Sequence, residues 1–69
     1  MKISARNTVE GTVTEVTTGA TTAHVRIDIG GGNVITASIT NEAVAELGLR
    51  VGAKAYAVVK ASDVMVAVD

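Results

Sequence analysis

Residues 22–29 carry the pattern that most constrains the fold of this chain. Apolar side chains alternate there with polar ones, and the apolar set is Ala23, Val25, Ile27 and Ile29, while the polar set is Thr22, His24, Arg26 and Asp28. A period of two residues places successive side chains on opposite faces of a β-strand. The segment is therefore predicted to be a strand with one buried and one solvated face, and it requires further strands beside it.

Two Val- and Thr-rich segments flank this strand. Ile3–Val16 alternates roughly and is predicted to form a long, curved first strand, with Gly11 marking a bulge or a sharp bend. Residues 17–20 then form a turn. Gly30–Asn33 permits positive φ values and is predicted to connect a hairpin to a third strand, Val34–Ile39. This glycine run lacks the Gly-Lys-Ser/Thr sequel and the helix of a phosphate-binding loop.

The pattern changes at Thr40, which is a favourable residue for a helix N-cap. Val44 and Leu47 follow three residues apart, and Gly48 stands where a left-handed C-terminal cap belongs, so one short helix is predicted. Ala53–Val59 and Val64–Val68 are predicted to be the last two strands. The order of three strands, a helix and two strands is that of an OB-fold, a mainly β, five-stranded small barrel.

The size of the chain makes assembly necessary. Its 69 residues are predicted to form a single domain, 1–69, and a domain this small buries only ~60% of the surface of its unfolded chain. There is no cysteine, and the single histidine, His24, has no partner at metal-ligand spacing, so it is interpreted as a surface residue. The last two predicted strands are apolar on both faces. These observations predict a homo-oligomer with an interface on those strands.

Charge and aromatic content disfavour two classes of partner. The formal net charge is −1, the basic residues are dispersed, and Tyr56 is the only aromatic residue. Proteins that bind nucleic acids present a basic stripe or aromatic platforms for bases, so an oligonucleotide-binding OB-fold is the weaker interpretation. No apolar run has the length of a membrane span, and the N-terminus lacks the apolar region of a secretory signal. We therefore expect a cytoplasmic protein without a membrane partner.

The run Ser4-Ala5-Arg6-Asn7 points to an oxyanion site. It offers a hydroxyl, backbone N–H groups, a guanidinium and a carboxamide, all of which can donate hydrogen bonds to an oxygen-rich anion. Four residues at the start of a strand cannot close a pocket, so the other wall must come from distant sequence or from another subunit. The sequence shows no nucleophile–base pair and no carboxylate pair in a plausible cleft. The chain is therefore predicted not to be an enzyme.

Three motifs connect the chain to a known family. They are Ser4-Ala5-Arg6-Asn7-x-x-x-Gly11-x-Val13, then Leu47-Gly48-Leu49, and finally Val59-Lys60-Ala61-Ser62-Asp63-Val64. In this order and over essentially the whole length, the chain resembles the molbindins, the small molybdate-binding Mop proteins. The resemblance implies a cytoplasmic hexamer, arranged as a trimer of dimers, that binds molybdate or tungstate for storage, buffering or delivery. It implies no cofactor.

The resemblance also implies which residues bind the anion. The site between subunits would comprise Ser4, Ala5, Arg6, Thr40, Ala43, Lys60, Ala61 and Ser62. Hydroxyls, backbone N–H groups and the first turn of the helix would supply neutral donors, and Lys60 the close positive charge. A second site near a three-fold axis would use the turn Gly19, Ala20, Thr21 and Thr22.

Position 43 departs from the family pattern, because related chains often carry serine where this chain has Ala43. One hydroxyl donor is lost, and a hydrogen bond to a charged group contributes about 1.5–3 kcal/mol. The departure leaves an alternative open, in which the domain keeps the fold as an assembly or interaction module and has lost its anion.

Overall fold

The computed structural model describes all residues, Met1–Asp69, and confirms a mainly β fold of the OB type. The elements in chain order are β1 (Asn7–Thr18), β2 (Thr22–Gly30), β3 (Asn33–Thr40), α1 (Asn41–Leu47), β4 (Lys54–Val59) and a 3₁₀ turn (Ala61–Asp63). The strands form one antiparallel sheet in the order β3-β2-β1-β4. α1 has 7 residues, and no helix is long and apolar enough to cross a bilayer.

The core is small and lies on the concave face of the curled sheet. Six residues are buried, all of them apolar, and they are Val13, Ala23, Val25, Ile27, Val44 and Ala57. Three of them are the alternating residues of β2, so the two-residue period of that strand is confirmed. One chain thus encloses little apolar surface, which agrees with the thin stability margin expected of a chain this short.

α1 begins and ends where its capping residues predict. The Thr40 hydroxyl accepts a hydrogen bond from the Ala43 N–H at 3.0 Å. Gly48 adopts φ 62°, ψ 36°, the left-handed conformation that closes a helix, and its N–H points back to the last turn. Val44 alone is buried on this helix, and Leu47, three residues later, is 68% exposed. The apolar spacing therefore packs one residue against the sheet and leaves the other outside.

Gly11 does not mark the bulge that its position suggested. The shift in register between β1 and β2 lies between Val13 and Glu15. Gly11 has a different purpose, because β1 crosses β2 so closely there that a Cβ at Gly11 would lie 2.5 Å from the Asp28 carbonyl oxygen and 2.6 Å from Ile27 Cγ2. The missing side chain is what lets the two strands curl across each other.

The glycine run forms the predicted hairpin between β2 and β3. Gly30, Gly31 and Gly32 all have positive φ, at 96°, 63° and 80°, which non-glycine residues rarely adopt. The Asp28 side chain supports the turn by accepting a hydrogen bond from the Gly30 N–H at 2.8 Å.

The predicted fifth strand, Val64–Val68, is wrong for the single chain. These residues follow the 3₁₀ turn without entering the sheet, and Met65, Val66 and Val68 are each about nine-tenths exposed. An extended segment becomes a strand only by hydrogen bonding to a neighbour, and no edge of this sheet receives it. The segment is apolar on both faces, as the prediction noted, but it pairs with no strand of this sheet.

Substituting Gly11 by alanine is expected to destabilise the fold. The new methyl group would overlap the backbone carbonyl of Asp28, which cannot rotate away, so Gly11→Ala should lower the free energy of unfolding by roughly 1–3 kcal/mol. Urea unfolding followed by circular dichroism measures this. Gly19→Ala, whose Cβ would meet a single oxygen at 3.0 Å, is the control and should cost less. Equal stabilities for the two variants would contradict the close crossing.

Candidate oxyanion site

An open cavity of about 610 Å³ lies where the chain enters β1 and leaves β4. Its lining is Ile3, Ser4, Ala5, Arg6, Val58, Lys60, Ala61, Ser62 and Asp63. Six of the eight residues predicted from the sequence for the first anion site therefore meet in one place, although about 55 residues of sequence separate the two groups. The two that do not are Thr40 and Ala43.

Strand pairing brings the two segments together. β1 and β4 are antiparallel, and their pairing ends with Asn7 opposite Val59, so the residues just before β1 lie beside those just after β4. The Asn7 amide adds a hydrogen bond to the Val59 carbonyl at 3.1 Å. Beyond Val59 the chain tightens into a 3₁₀ turn, in which the Asp63 N–H donates to the Lys60 carbonyl at 2.9 Å. The cavity is thus bounded by a short extended segment and a turn.

The cavity is lined with hydrogen-bond donors that have no acceptor in the protein. The backbone N–H groups of Ala5, Arg6, Ala61 and Ser62 make none of the turn, loop or side-chain hydrogen bonds of the chain, and the Ser4 and Ser62 hydroxyls are equally free. All five of these residues are exposed or partly exposed on the cavity wall and can reach a ligand. Free N–H and O–H groups converging on one space suit an oxyanion.

Three charged side chains also line the cavity. Arg6 and Lys60 are cationic and Asp63 is anionic, and none of them forms an ion pair. The one ion pair of the chain lies elsewhere, between Lys54 Nζ and Glu10 Oε1 at 2.6 Å on β4 and β1. The pKa of Lys54 is raised, mainly by its hydrogen bond to Glu10 and secondly by a hydrogen bond to Tyr56. The three charged groups of the cavity therefore form no ion pair with one another, and their formal charges sum to +1.

Three residues of the cavity were missed from the sequence. Ile3 and Val58 contribute apolar wall, and the signal for Val58 was its place on the outward face of β4, two residues before Lys60. Asp63 lies inside the last family motif, directly after Ser62. It was not predicted to line an anion site because a negatively charged carboxylate repels an anion. Only the fold of the 3₁₀ turn places it on the cavity wall.

Thr40 and Ala43 lie at the start of α1 and do not line the cavity. Two of the three N–H groups that open the helix are already engaged, since Asn41 donates to the Thr21 carbonyl at 2.9 Å and Ala43 donates to the Thr40 hydroxyl. The Glu42 N–H stays free, and the Thr40 hydroxyl can still donate its own hydrogen. The first turn thus offers fewer donors than a helix start would suggest from sequence.

The turn predicted as a second anion site is held against α1. Gly19 donates its N–H to the Thr22 carbonyl at 2.7 Å and accepts a hydrogen bond from the Asn41 amide at 2.9 Å. Thr22 is also the cross-strand partner of Thr40. The Thr21 and Thr22 side chains are exposed, and their hydroxyls have no partner in the chain. Both groups of predicted anion-binding threonines therefore lie close together at this end of the sheet.

Together, the curled sheet and the donor-lined cavity define a small β domain suited to binding rather than to catalysis. Comparison with known proteins agrees. The TOBE domain model matches residues 3–66. A probable molybdenum-pterin-binding protein from Haemophilus influenzae is 52% identical over 69 residues, covering 100% of both chains.

Solved structures give the same result. MopII from Clostridium pasteurianum superposes with a TM-score of 0.90 at 46% identity, covering 97% of this chain and 100% of that one. The cytoplasmic molybdate-binding protein ModG, in a form with molybdate bound, superposes with a TM-score of 0.90 at 52% identity, covering 94% of this chain and 46% of that one. The chain belongs to the TOBE domain family and, within it, to the molybdenum-pterin-binding (Mop) proteins, whose function is binding and not catalysis.

Removing the helix cap is expected to destabilise the ligand-free protein. Thr40→Ala leaves the Ala43 N–H without its acceptor, and loss of an N-cap costs about 0.5–2 kcal/mol. Thr40→Ser keeps the hydroxyl and should stay within a few tenths of a kcal/mol of the parent. Thermal unfolding of both variants checks the expectation, and a stable Thr40→Ala protein would show that the cap contributes nothing.

Proposed function

We propose that this protein binds molybdate, and tungstate with it, at sites formed between subunits of a homo-oligomer. The observation that carries the proposal is the cavity of unpartnered donors between residues 3–6 and 60–63. Support comes from the Mop relatives and from ModG, which was solved with molybdate bound. In this function Ser4, Ala5, Arg6, Lys60, Ala61 and Ser62 form one wall of the site.

The donors of this wall suit reversible binding of a tetrahedral dianion. Most are neutral N–H and O–H groups, which hold an anion by many directed hydrogen bonds without a large excess of positive charge. Arg6 supplies a planar donor set and Lys60 a compact charge. Reversible binding of this kind serves storage, buffering or delivery of the anion.

A second subunit would complete the site. The cavity is open, and nearly all of its lining residues are exposed in the single chain. We infer that the opposite wall is the start of α1 of a neighbouring subunit, where the Thr40 hydroxyl and the Glu42 N–H are free. Residues 19–22 would line the second class of site near a three-fold axis.

Unpartnered apolar surface supports assembly. A groove of about 600 Å³ on the inner face of the sheet is lined almost wholly by apolar residues, among them Ile35, Ile39 and Ala57. The segment Val64–Val68 is likewise apolar and exposed. A soluble chain rarely leaves this much apolar surface to water. We propose a hexamer, a trimer of dimers, built from chains that each form one domain over residues 1–69. As ModG is described as cytoplasmic, we place this protein there also.

One observation favours a second function. Ala43 has no hydroxyl, and its N–H is held by Thr40, so position 43 offers nothing to an anion while that cap is intact. A domain that keeps the assembly and has lost the anion would show this feature. Titration of the purified protein with molybdate in excess sulfate separates the two functions: saturable heat supports molybdate binding, and its absence supports an assembly module.

Replacing Lys60 is expected to weaken molybdate binding more than tenfold, because the site loses its compact positive charge. Isothermal titration calorimetry of Lys60→Ala measures the loss. Lys2→Ala is the matched control, since Lys2 is exposed and lies outside the cavity, and it should bind like the parent. If Lys60→Ala dissociates the oligomer without anion present, Lys60 is structural and its assignment to the site fails.

A charge on the C-terminal segment is expected to dissociate the oligomer. Val66 is 88% exposed in the single chain, so Val66→Asp should leave the fold intact, yet it would bury a carboxylate if the segment packs against another subunit. Analytical ultracentrifugation compares Val66→Asp with Val66→Thr, which keeps the shape. An unchanged sedimentation coefficient for the aspartate variant would show that this segment stays in solvent.

A further inference from the structure

We propose that Asp63 is a specificity-determining residue of the anion site, selecting the more basic tetrahedral oxyanions by accepting a hydrogen bond from a proton that the bound anion carries. The inference rests on the proposed function. It begins with an anomaly, because an acidic side chain lines a cavity whose other polar groups are donors and cations.

The backbone N–H of Asp63 is not available to a ligand, because it is already hydrogen-bonded within the chain. Its N–H closes the 3₁₀ turn on the Lys60 carbonyl at 2.9 Å, whereas the N–H groups of Ala61 and Ser62 stay free. Asp63 lines the cavity, and the group of Asp63 that can still interact with a bound anion as a polar side chain is its carboxylate. The turn that frees two donors for an anion also fixes the aspartate immediately beside them.

No cation of the chain neutralises this carboxylate. The charged groups that face it across the cavity are Arg6, from the segment before β1, and Lys60, at the end of β4, and neither forms an ion pair with Asp63. An ionised carboxylate accepts hydrogen bonds and donates none. A fully deprotonated dianion has the same property, so the two repel each other unless a proton lies between them.

The repulsion becomes selective because oxyanions differ in basicity. Sulfate is the conjugate base of a strong acid and holds a proton poorly near neutral pH, whereas molybdate is the more basic dianion. On binding, one proton is taken from solvent, an O–H bond forms on an oxygen of the anion, and that O–H donates to the Asp63 carboxylate; no other bond changes. Bound sulfate carries no such proton, so it is repelled by the Asp63 carboxylate. Asp63 thus disfavours sulfate more than molybdate.

The test measures proton uptake as well as affinity. The wild-type protein is titrated calorimetrically with sodium molybdate and with sodium sulfate near pH 6 and near pH 8, in two buffers that differ in ionisation enthalpy. The wild type should take up close to one proton with each molybdate, and its affinity should rise by up to roughly tenfold for each unit by which the pH falls.

Asp63→Asn removes the charge and keeps the shape. It should bind sulfate more tightly, lower the ratio of molybdate to sulfate affinity by roughly tenfold, and abolish the proton uptake, since an amide can donate to a bare dianion. Asp69→Asn removes the same charge from an exposed position outside the cavity and should match the wild type. Ser62→Ala should weaken both anions and keep the proton uptake, which separates loss of a neutral donor from loss of the carboxylate.

The outcomes are distinguishable. Wild-type protein that binds neither anion overturns the proposed function and this inference with it. Wild-type protein that binds molybdate without proton uptake, or an Asp63→Asn variant with an unchanged affinity ratio, overturns the inference alone. Dissociation of the Asp63→Asn oligomer without anion, measured by sedimentation, would make Asp63 a structural residue and also overturn it.

Discussion

The pairing of β1 with β4 is the interaction on which the site depends. β1 lies between β2 and β4 in the sheet, and its antiparallel register with β4 ends at Asn7 opposite Val59. That register alone brings residues 3–6 beside residues 60–63. A slip of one residue would turn the donors of one segment away from the other and reverse the buried face of the strand. The close crossing at Gly11 constrains how β1 lies against β2, because a side chain at that position would overlap the Asp28 carbonyl.

Much of this could be predicted from the sequence because the signals are local. The alternation of β2, the cap residues Thr40 and Gly48 and the glycine hairpin each determine their own segment, and each is confirmed. The six cavity residues were identified from motifs, but their convergence needed the pairing of β1 with β4. The fifth strand was wrong because a run of apolar residues indicates that a segment can join a sheet but does not identify a strand for it to pair with. Asp63 was missed because the sequence does not reveal which way a turn presents its side chains.

The start of α1 shows a conflict between fold and ligand that local patterns cannot display. Thr40 caps the helix, pairs with Thr22 across the sheet and is a predicted anion ligand. Asn41 binds the β1–β2 turn by two hydrogen bonds, and its side-chain oxygen is buried without a donor. A buried acceptor without a partner is costly, so the contact between this turn and the helix must contribute enough to outweigh it.

The two walls proposed for the site therefore differ in how many of their N–H donors are already hydrogen-bonded within the protein. Around residues 60–62 the donors are free, because a 3₁₀ turn uses few of its own N–H groups. At the start of α1 the N–H groups of Asn41 and Ala43 already donate hydrogen bonds within the chain, to the Thr21 carbonyl and the Thr40 hydroxyl. An anion can compete for the Ala43 N–H only by taking it from Thr40, and serine at position 43 would avoid that competition by adding a hydroxyl. In the proposed site the free wall would carry most of the binding, and the balance of Arg6, Lys60 and Asp63 would then be the main determinant of which anion the cavity holds.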